Sequence, residues 1–422
     1  MVKHILTIIK NQRKNYLWIL IELLVVFICL WYIVDYTGTY LYIRRQPVGF
    51  NIEHTYKLTL NEYTSDNAQY ISSENKHTTI GEDLLNLQKN IRLHPDIEAV
   101  SISKYSQPYA ATQYTNKRKF SQIHLNDSSV FMQRYEISPS FFRVFRISAQ
   151  AGSIEKLEKN LSPQTIILSQ EGEKRLIPGS SGIGKWVNID KDALSRQITA
   201  ICSPIRNTEY FKAEPCFYIL LQDEHIASEL NSNNLGEMEL CIRVKPEKDN
   251  AEFPSCFLND LTWQTNIGNL YVIDVLPTSV IRKTIISPMT SKFRPRLLML
   301  FFLLVNIFLG ISGVFWHRTQ HRHEELGIRM AFGANRNNLH ILLIGEGVLL
   351  LTIITIPATI MCFNICLAEL IDTYWMDFTA VRFLTSIFVT YLLMAIMIIS
   401  GIWYPAHLAM LITSKLLSKV IS

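Results

Sequence analysis

Charged residues are scarce in this sequence of 422 residues. Asp, Glu, Lys and Arg make up 18% of the chain, whereas soluble domains carry about 25%. The scarcity is uneven, because four long runs hold almost no charge, while the segment between the first two runs has the composition of a globular domain. This distribution excludes a soluble enzyme, a disordered protein and a simple bundle of membrane helices.

Two further absences narrow the class of function. The net charge of +5 comes from basic residues beside the apolar runs, without the basic and aromatic patch that binds nucleic acid. No nucleophile–base set and no anchored metal-ligand pattern stands out. We therefore expect no enzyme activity, no catalytic residue, no bound cofactor or metal, and no nucleic-acid partner.

The four apolar runs are long enough to cross a bilayer, which takes about 20 residues of helix. We predict membrane-spanning helices over residues 16–36, 296–317, 341–367 and 383–412. The last run would be about 45 Å long as a straight helix, so we expect it to leave the bilayer near Pro405. Apolar residues at helical spacing among basic ones predict an amphipathic surface helix over residues 1–15.

Basic residues set the orientation of the spans. Lys and Arg precede the first run, occur throughout residues 318–340 and recur in the tail 413–422, whereas the short loop 368–382 holds only Arg382. We therefore expect the 318–340 loop and both termini in the cytoplasm. Residues 37–295 then form a large extracytoplasmic domain between helices 1 and 2. The first run lacks a small-residue cleavage site, which predicts an uncleaved anchor.

The extracytoplasmic segment alternates β-branched runs with helical patterns, which predicts a mixed α+β domain. Strand patterns occur at Tyr56–Leu60, Ala99–Tyr105, Gln164–Leu168, Lys185–Ile189, Gln197–Cys202, Cys216–Leu221, Glu239–Val244 and Asn269–Val275. Helical patterns occur at Gly81–Arg92, Pro139–Phe145, Ser169–Leu176 and Asp223–Glu229. Four cysteines of this segment fit either disulfides or buried free thiols, namely Cys202, Cys216, Cys241 and Cys256.

One motif in this domain has a misleading form. Gly179 to Lys185 match the G-x-x-x-x-G-K part of a phosphate-binding loop. Trp186 follows where the motif needs Ser or Thr to hold Mg²⁺, and a strand pattern follows where it needs a helix. We interpret the segment as a turn, so the chain is expected to have no ATPase of its own.

The 318–340 loop carries the most informative pattern, which reads EELGIRMAFGAN from Glu324 to Asn335. Its apolar residues follow helical spacing, Gly333 suits a helix end, and Asn335 can cap the next helix. By physical chemistry alone, Glu325 and Arg329 are an ordinary exposed i,i+4 pair. His317 and His321, one helical turn apart, fit a membrane-surface position better than a metal site.

This loop resembles the cytoplasmic signature of MacB/FtsX-like ABC-transporter permeases. Two segments of the outer domain are also similar to that family, namely Tyr135–Ile147 with Gly152, and Thr165–Ser169 with Gly182–Ile189. The order of one span, a large outer domain and three spans matches as well, so the resemblance covers nearly the whole chain. The tail from Ile412 to Lys415 departs from the family pattern.

The resemblance implies a permease subunit of the bacterial cytoplasmic (inner) membrane. Such a subunit works as a homodimer or heterodimer with a separate cytoplasmic ABC ATPase, which uses the ATP, and a periplasmic adaptor and membrane lipids are further expected partners. The resemblance assigns the ATPase contact to Glu324, Glu325, Leu326, Gly327, Ile328, Arg329, Ala331, Gly333 and Ala334.

The implied action is mechanotransmission, the relay of ATPase motion to the periplasmic domain. It would serve export or efflux of a peptide, lipoprotein or antibiotic-like substrate. Two alternatives stay open: a division-type regulator of cell-wall hydrolases, and a membrane-anchored extracytoplasmic sensor, although the cytoplasmic segments are too short for a sensor's output domain.

Glu22 and Glu346 are the only Asp, Glu, Lys or Arg residues within the apolar runs themselves, which are Tyr16–Val34, Leu297–Trp316, Leu342–Leu367 and Phe383–Ile412. Two isolated acids provide no polar pathway through the membrane, which agrees with a relay rather than a pore. Glu346 is interpreted as a residue that pairs helices or reaches the membrane interface. Gly310 and Gly313 on the second span, with Ser312, predict close helix packing at a dimer contact.

Overall fold

The computed structural model describes residues 13–72, 74–110, 120–125, 128–190, 195–260, 262–265, 267–321, 336–373 and 376–421. Most of the surface helix predicted over residues 1–15 therefore lies outside the described residues. The chain divides into two compact units. The first unit comprises Met1–Arg44 and Thr290–Ser422, and the second comprises Arg45–Met289.

Ten α-helices and ten strands occur in the described residues. The helices are α1 Arg13–Arg45, α2 Ile80–Leu93, α3 Phe141–Val144, α4 Ile154–Asn160, α5 Gln170–Leu176, α6 Asp223–Glu229, α7 Phe253–Asn259, α8 Thr278–His321, α9 Arg336–Leu367 and α10 Ala380–Ile421. The strands are β1 Thr55–Glu62, β2 Ile97–Lys104, β3 Phe120–Leu125, β4 Ser128–Ile137, β5 Thr165–Ser169, β6 Trp186–Ile189, β7 Ser195–Cys202, β8 Cys216–Leu220, β9 Met238–Val244 and β10 Leu270–Pro277.

Four helices are long and apolar enough to cross a membrane. The qualifying stretches are Ile19–Arg45, Thr278–Gly310, Ile344–Leu367 and Ala380–Trp403. Each predicted span overlaps one of these stretches, but the helices are longer than the spans. Helix α8 begins at Thr278, before the predicted start at residue 296. The polar residues that precede the apolar run are therefore also helical.

Helix α10 also differs from the prediction, since its backbone stays helical past Pro405 to Ile421. Long apolar helices tolerate an internal proline when local adjustments satisfy the backbone group that it frees. Helix α9 accommodates Pro357 in the same way. The helix is therefore not broken near Pro405, where the chain was expected to leave the bilayer.

The core of the first unit is formed mainly by α1, α9 and α10. Phe27 and Trp31 of α1 are completely buried there, together with Ala358 and Cys362 of α9 and Met394 of α10. Among the side chains that the structure describes, α8 contributes partly buried residues to this cluster, such as Leu300 and Leu304. Side-chain burial therefore makes α1, α9 and α10 the packed group of this unit.

The second unit combines an open sheet with a closed barrel. Four antiparallel strands are ordered β10-β1-β9-β2, and six more follow as β4-β3-β6-β7-β5-β8. Strand β8 also pairs in parallel with β4, which closes those six strands into a barrel. The open sheet joins the barrel through two residue pairs, Ser103 with Ile137 and Lys104 with Glu136.

Three helices cover the open sheet and bury its apolar face. Leu84 and Leu87 of α2, Ile226 of α6 and Phe257 of α7 lie in one cluster with the sheet residues. Helix α2 begins with a capping box, in which the Thr79 hydroxyl accepts the Glu82 N–H and the Glu82 carboxylate accepts the Thr79 N–H. These contacts fix where α2 starts on the sheet.

The barrel has its own apolar interior. Ile123, Ile166, Ile198 and Phe217 have no exposed surface and pack together inside the strand ring. All eight predicted strands and all four predicted helices of the second unit are present, with ends within two residues of the prediction. The mixed α+β prediction is therefore confirmed for this unit.

Candidate functional site

The segment predicted to contact an ATPase lies outside the described residues. That segment contains Glu324, Glu325, Leu326, Gly327, Ile328, Arg329, Ala331, Gly333 and Ala334. Helix α8 ends at His321 before it, and α9 begins at Arg336 after it. Two long helices therefore flank the predicted contact, whose assignment stays a prediction.

A buried ion pair joins the first and fourth apolar helices. Asp35 of α1 and Arg382 of α10 are 6% and 5% exposed. The Arg382 Nε lies 3.0 Å from the Asp35 Oδ1, and Nη2 lies 2.6 Å from Oδ2, so the guanidinium donates both bonds in the planar fork geometry. The pairing satisfies two charges that burial would otherwise make costly.

Arg382 also binds the loop that precedes its own helix. Its Nη1 donates to the Met376 carbonyl at 2.5 Å, and its Nη2 donates to the Asp372 carbonyl at 3.0 Å. One side chain thereby links α1, the start of α10 and the backbone carbonyls of Asp372 and Met376. The sequence prediction missed this site, because it treated Arg382 as a loop charge and ended the first apolar run before Asp35.

A second polar contact between the same helices lies one turn away. The buried Trp31 indole donates to the Ser386 hydroxyl at 2.9 Å, and its ring packs edge-on against Phe383. Helices α1 and α10 are therefore joined at two successive levels, first by charge and then by an indole hydrogen bond.

The two membrane glutamates have different surroundings within the first unit. Glu346 is 4% exposed, which favours the helix-pairing interpretation over one at the membrane interface.

A Cβ on Gly310 would lie 3.4 Å from the Glu22 Oε1, so α8 approaches α1 closely at this glycine. A Cβ on Gly313 would meet nothing within 4 Å. The packing at a dimer contact expected from Gly310 and Gly313 stays a prediction.

The phosphate-loop motif of the second unit is a turn between α5 and β6. Gly179 and Gly184 have φ angles of +82° and +87°, which non-glycine residues rarely adopt. The Gly182 N–H donates to the Glu173 carboxylate, and the Gly184 N–H donates to the Ile198 carbonyl. Two amides that would hold a phosphate in a true motif are therefore bound to protein oxygens, which supports the turn interpretation.

The seven cysteines are all free thiols. Cys202, Cys216 and Cys241 are buried in the second unit, and Cys256 is exposed. Burial raises the pKa of the Cys216 thiol to about 12 and shifts those of Cys202 and Cys241 upward as well. Of the two open interpretations, the structure selects free thiols. Within the described residues, no group of three or more His, Cys, Asp or Glu is placed to hold a metal ion.

Strand β9 buries a carboxyl group in the middle of the open sheet. The Glu239 Oε2 accepts hydrogen bonds from the Ser103 hydroxyl and from the backbone N–H groups of Ser106 and Gln107, at 2.7–2.9 Å. Complete burial nevertheless raises the pKa of Glu239 above its ordinary value of 4.5, since the three bonds only partly offset the lost hydration.

This raised pKa predicts a pH-dependent stability. The folded carboxyl holds its proton more strongly than the unfolded one, so its contribution is greatest below pH 4.5 and is lost as pH rises through the folded pKa. Glu239→Gln keeps an acceptor but cannot ionise. We expect the melting temperature of Glu239→Gln to rise relative to that of the wild type as pH increases from 4.5. Thermal unfolding of the purified chain measures this difference.

The exposed Glu229 provides the control for this pH experiment. Glu229→Gln should keep a constant difference from the wild type over the same pH series. A constant difference for Glu239→Gln as well would show that folding does not raise the pKa of this carboxyl.

Comparison with known proteins gives matches to solved structures. No family model and no curated protein matches the chain. The periplasmic region of MacB from Actinobacillus actinomycetemcomitans is 12% identical, covers 58% of this chain and 97% of its own, and has a TM-score of 0.34. The extracellular domain of the ABC-type transporter YknZ from Gram-positive bacteria is 12% identical, covers 52% of this chain and 99% of its own, and has a TM-score of 0.31. These structural neighbours are periplasmic and extracellular domains of MacB-like and YknZ ABC-type permease proteins, the group that the sequence motifs resemble.

Proposed function

We propose that this chain is the transmembrane permease subunit of an ABC transporter. In this proposal a separate cytoplasmic ATPase binds the 318–340 loop and hydrolyses ATP, and the chain relays the resulting motion to its second unit. The observation that carries the proposal is the pattern ELGIR-x-A-x-G-A, which begins at Glu325 between two long apolar helices, α8 and α9. A short capped helix in that position can pass movement into both helices.

The first unit supports a relay rather than a substrate pore. Its core is apolar and tightly packed around α1, α9 and α10. Within the described residues, the charged side chains Asp35 and Arg382 of these helices neutralise each other instead of lining a polar path. Helices joined in this way move together, which suits the transfer of motion more than the passage of a polar solute.

The proposal assigns a location and partners. The chain lies in the bacterial inner membrane with both termini in the cytoplasm and the second unit in the periplasm. It acts as a homodimer or heterodimer with the ATPase and exports a peptide, lipoprotein or antibiotic-like substrate, with a periplasmic adaptor as a further partner. Copurification of an ATPase with the full chain from its native membrane is the first test, and failure to recover one would contradict the assignment.

Arg329→Glu tests the coupling loop directly. The change places a third acid beside Glu324 and Glu325 and reverses the charge at the proposed contact. We expect ATPase-coupled activity in liposomes to fall about tenfold or more, because like charges brought together at an interface cost several kcal/mol. The variant should remain folded, with the helical circular dichroism of the wild type.

Arg322→Glu is the matched control, since Arg322 lies in the same loop but outside the proposed contact. It should keep most of the coupled activity. Full activity in Arg329→Glu would remove the loop from the proposed mechanism.

A further inference from the structure

The connection between β7 and β8, residues 203–215, is held by two chain segments that are far apart in sequence. One segment, residues 46–49, directly follows α1, and the other is the first turns of α8 around Arg282. These are the places where the chain passes into and out of the second unit. All the contacts described below lie within the second unit.

Residues 46–49 lie in close contact with the connection through backbone atoms. Gly49 has a φ of +88°, and a Cβ on it would lie 2.1 Å from the Pro204 carbonyl oxygen, so only glycine permits this approach. The Arg206 N–H donates to the Val48 carbonyl at 2.9 Å. The Arg206 Nη1 donates to the Gln46 carbonyl at 2.8 Å. The contact is therefore close and directional.

The second segment is held by an ion pair. The Arg282 Nε donates to the Glu209 Oε1 at 2.5 Å. Arg206 supports Glu209 from the other side, because its Nη2 donates to the Glu209 carbonyl and its Nε to the Phe211 carbonyl. Arg206 is 4% exposed. Its buried guanidinium therefore links the Glu209 and Phe211 carbonyls of the connection to the Gln46 carbonyl.

The Glu209–Arg282 ion pair is partly buried, and its reduced contact with water strengthens the interaction. Tyr109 is 1% exposed and lies beside the pair. Burial and the nearby Glu209 carboxylate raise the pKa of the Tyr109 phenol, while Arg282 opposes the shift. Burial lowers the pKa of Arg282, but its contacts with Glu209 more than offset this, and the net shift is upward. Charge-assisted bonds in such surroundings are stronger than bonds in water.

We propose that Arg206, Glu209 and Arg282 form the junction through which displacement of α1 and α8 reaches the barrel. The proposal rests on the permease function proposed above. The connection leads directly into β8, which pairs with β4 and β5 and closes the barrel. A displacement of the connection is therefore delivered to a closed ring of strands, which responds as one body.

The open sheet and the barrel are linked to α8 in different ways. Strand β10 ends at Pro277 and α8 begins at Thr278, so the open sheet is linked to α8 by the chain itself. No barrel strand runs directly into α8, and the Glu209–Arg282 pair is a contact between the connection into β8 and that helix. The three side chains are therefore positioning residues that set how far the barrel follows α8.

The first test measures the junction in the resting full chain, without any ATPase. Glu209→Gln removes the charge but keeps the size of the side chain. We expect amide hydrogen exchange of residues 203–215 and of the first turns of α8 to rise together by roughly tenfold, the effect of losing one charge-assisted hydrogen bond. Arg282→Lys, which keeps the charge but not the planar fork, should give a smaller rise in the same peptides.

Arg143→Gln is the matched control, because Arg143 forms an exposed pair with Glu158 elsewhere in the unit. It should leave exchange in residues 203–215 unchanged. Unchanged exchange in Glu209→Gln would overturn the junction, whatever the function of the chain.

The second test measures movement with the copurified ATPase in nanodiscs. Spin labels at exposed positions 252 and 188, with Cys29 and Cys256 replaced by serine, report the distance between the open sheet and the barrel. We expect ATP with vanadate to shift that distance in the wild type and in Arg143→Gln, and this shift to be lost in Glu209→Gln while ATP hydrolysis persists.

The outcomes separate the two proposals. A full shift in Glu209→Gln would overturn the junction and leave the permease function standing. A wild-type chain that shows no shift with its ATPase bound would overturn the relay, while the exchange experiment would still decide whether the three side chains tie the connection to α8.

Discussion

Replacing Arg382 by alanine should destabilise the first unit by about 3–5 kcal/mol, the cost of leaving one member of a buried ion pair without its partner. The Asp35 carboxylate would remain buried, and the Asp372 and Met376 carbonyls would lose their donors. Arg382→Lys should recover only part of this loss, because a lysine cannot donate the bidentate fork. Denaturant unfolding of the full chain in micelles, followed by helical circular dichroism, measures the change.

Two further variants decide whether the effect comes from the unpaired charge. Asp35→Ala together with Arg382→Ala removes both charges and should be more stable than Arg382→Ala alone. Arg294→Ala removes an exposed arginine of α8 and should change stability little. If Arg382→Ala behaved like Arg294→Ala, the ion pair would contribute nothing to holding α1 and α10 together.

Gly81→Ala should destabilise the second unit by about 3 kcal/mol, at the upper end for overpacking. A Cβ at this position would lie 1.9 Å from the carbonyl oxygen of Ile226 and 2.7 Å from the Cα of Ala227. Both are backbone atoms, so no rotamer change relieves the clash, and α2 and α6 must separate. The higher helix propensity of alanine returns about 1 kcal/mol. Thermal unfolding of the full chain would show the loss.

Gly236→Ala is the matched control for this clash, since a Cβ there would meet nothing within 4 Å. It should leave the melting temperature of the second unit close to that of the wild type. Equal melting temperatures for Gly81→Ala and Gly236→Ala would mean that α2 does not pack against α6 as closely as the structure shows.

Eight of the ten strands were predicted from sequence, including β9 with its buried Glu239 and Arg243, whereas β3 and β4 were missed. Strand β4 was missed because Gln133 and Glu136 occupy buried positions and break the period-two pattern. Helices α4 and α7 were missed as well, although α5 and α6 are equally short and were predicted. Strand β3, which pairs with β4 along its whole length, was missed with it.

The candidate site shows the same division between local and distant information. The coupling loop could be predicted because its residues are consecutive and form a pattern, and its role stays a prediction. Asp35 and Arg382 are 347 positions apart, and nothing in the neighbourhood of either residue indicates the other. Glu209 and Arg282 are separated in the same way. A single sequence displays periodicity and short motifs, whereas these pairings follow from the tertiary fold.

Helix α8 illustrates a boundary that composition obscures. Its first eighteen residues are polar enough to read as part of a globular domain, so the span was predicted to begin at residue 296. The structure stabilises these turns through contacts made outside the helix, such as Arg282 with Glu209 and Phe293 with Tyr40. Tertiary contacts of this kind override a weak local signal.

The buried thiols have a consequence for how the second unit reaches its native state. Because Cys202, Cys216 and Cys241 are packed as small apolar side chains, folding of this unit does not wait for an oxidant or for the exchange of mispaired bridges. The unit can acquire its structure equally well under reducing and oxidising conditions, and burial in the apolar cluster that contains Phe141 and Tyr218 shields these sulfur atoms from later reaction.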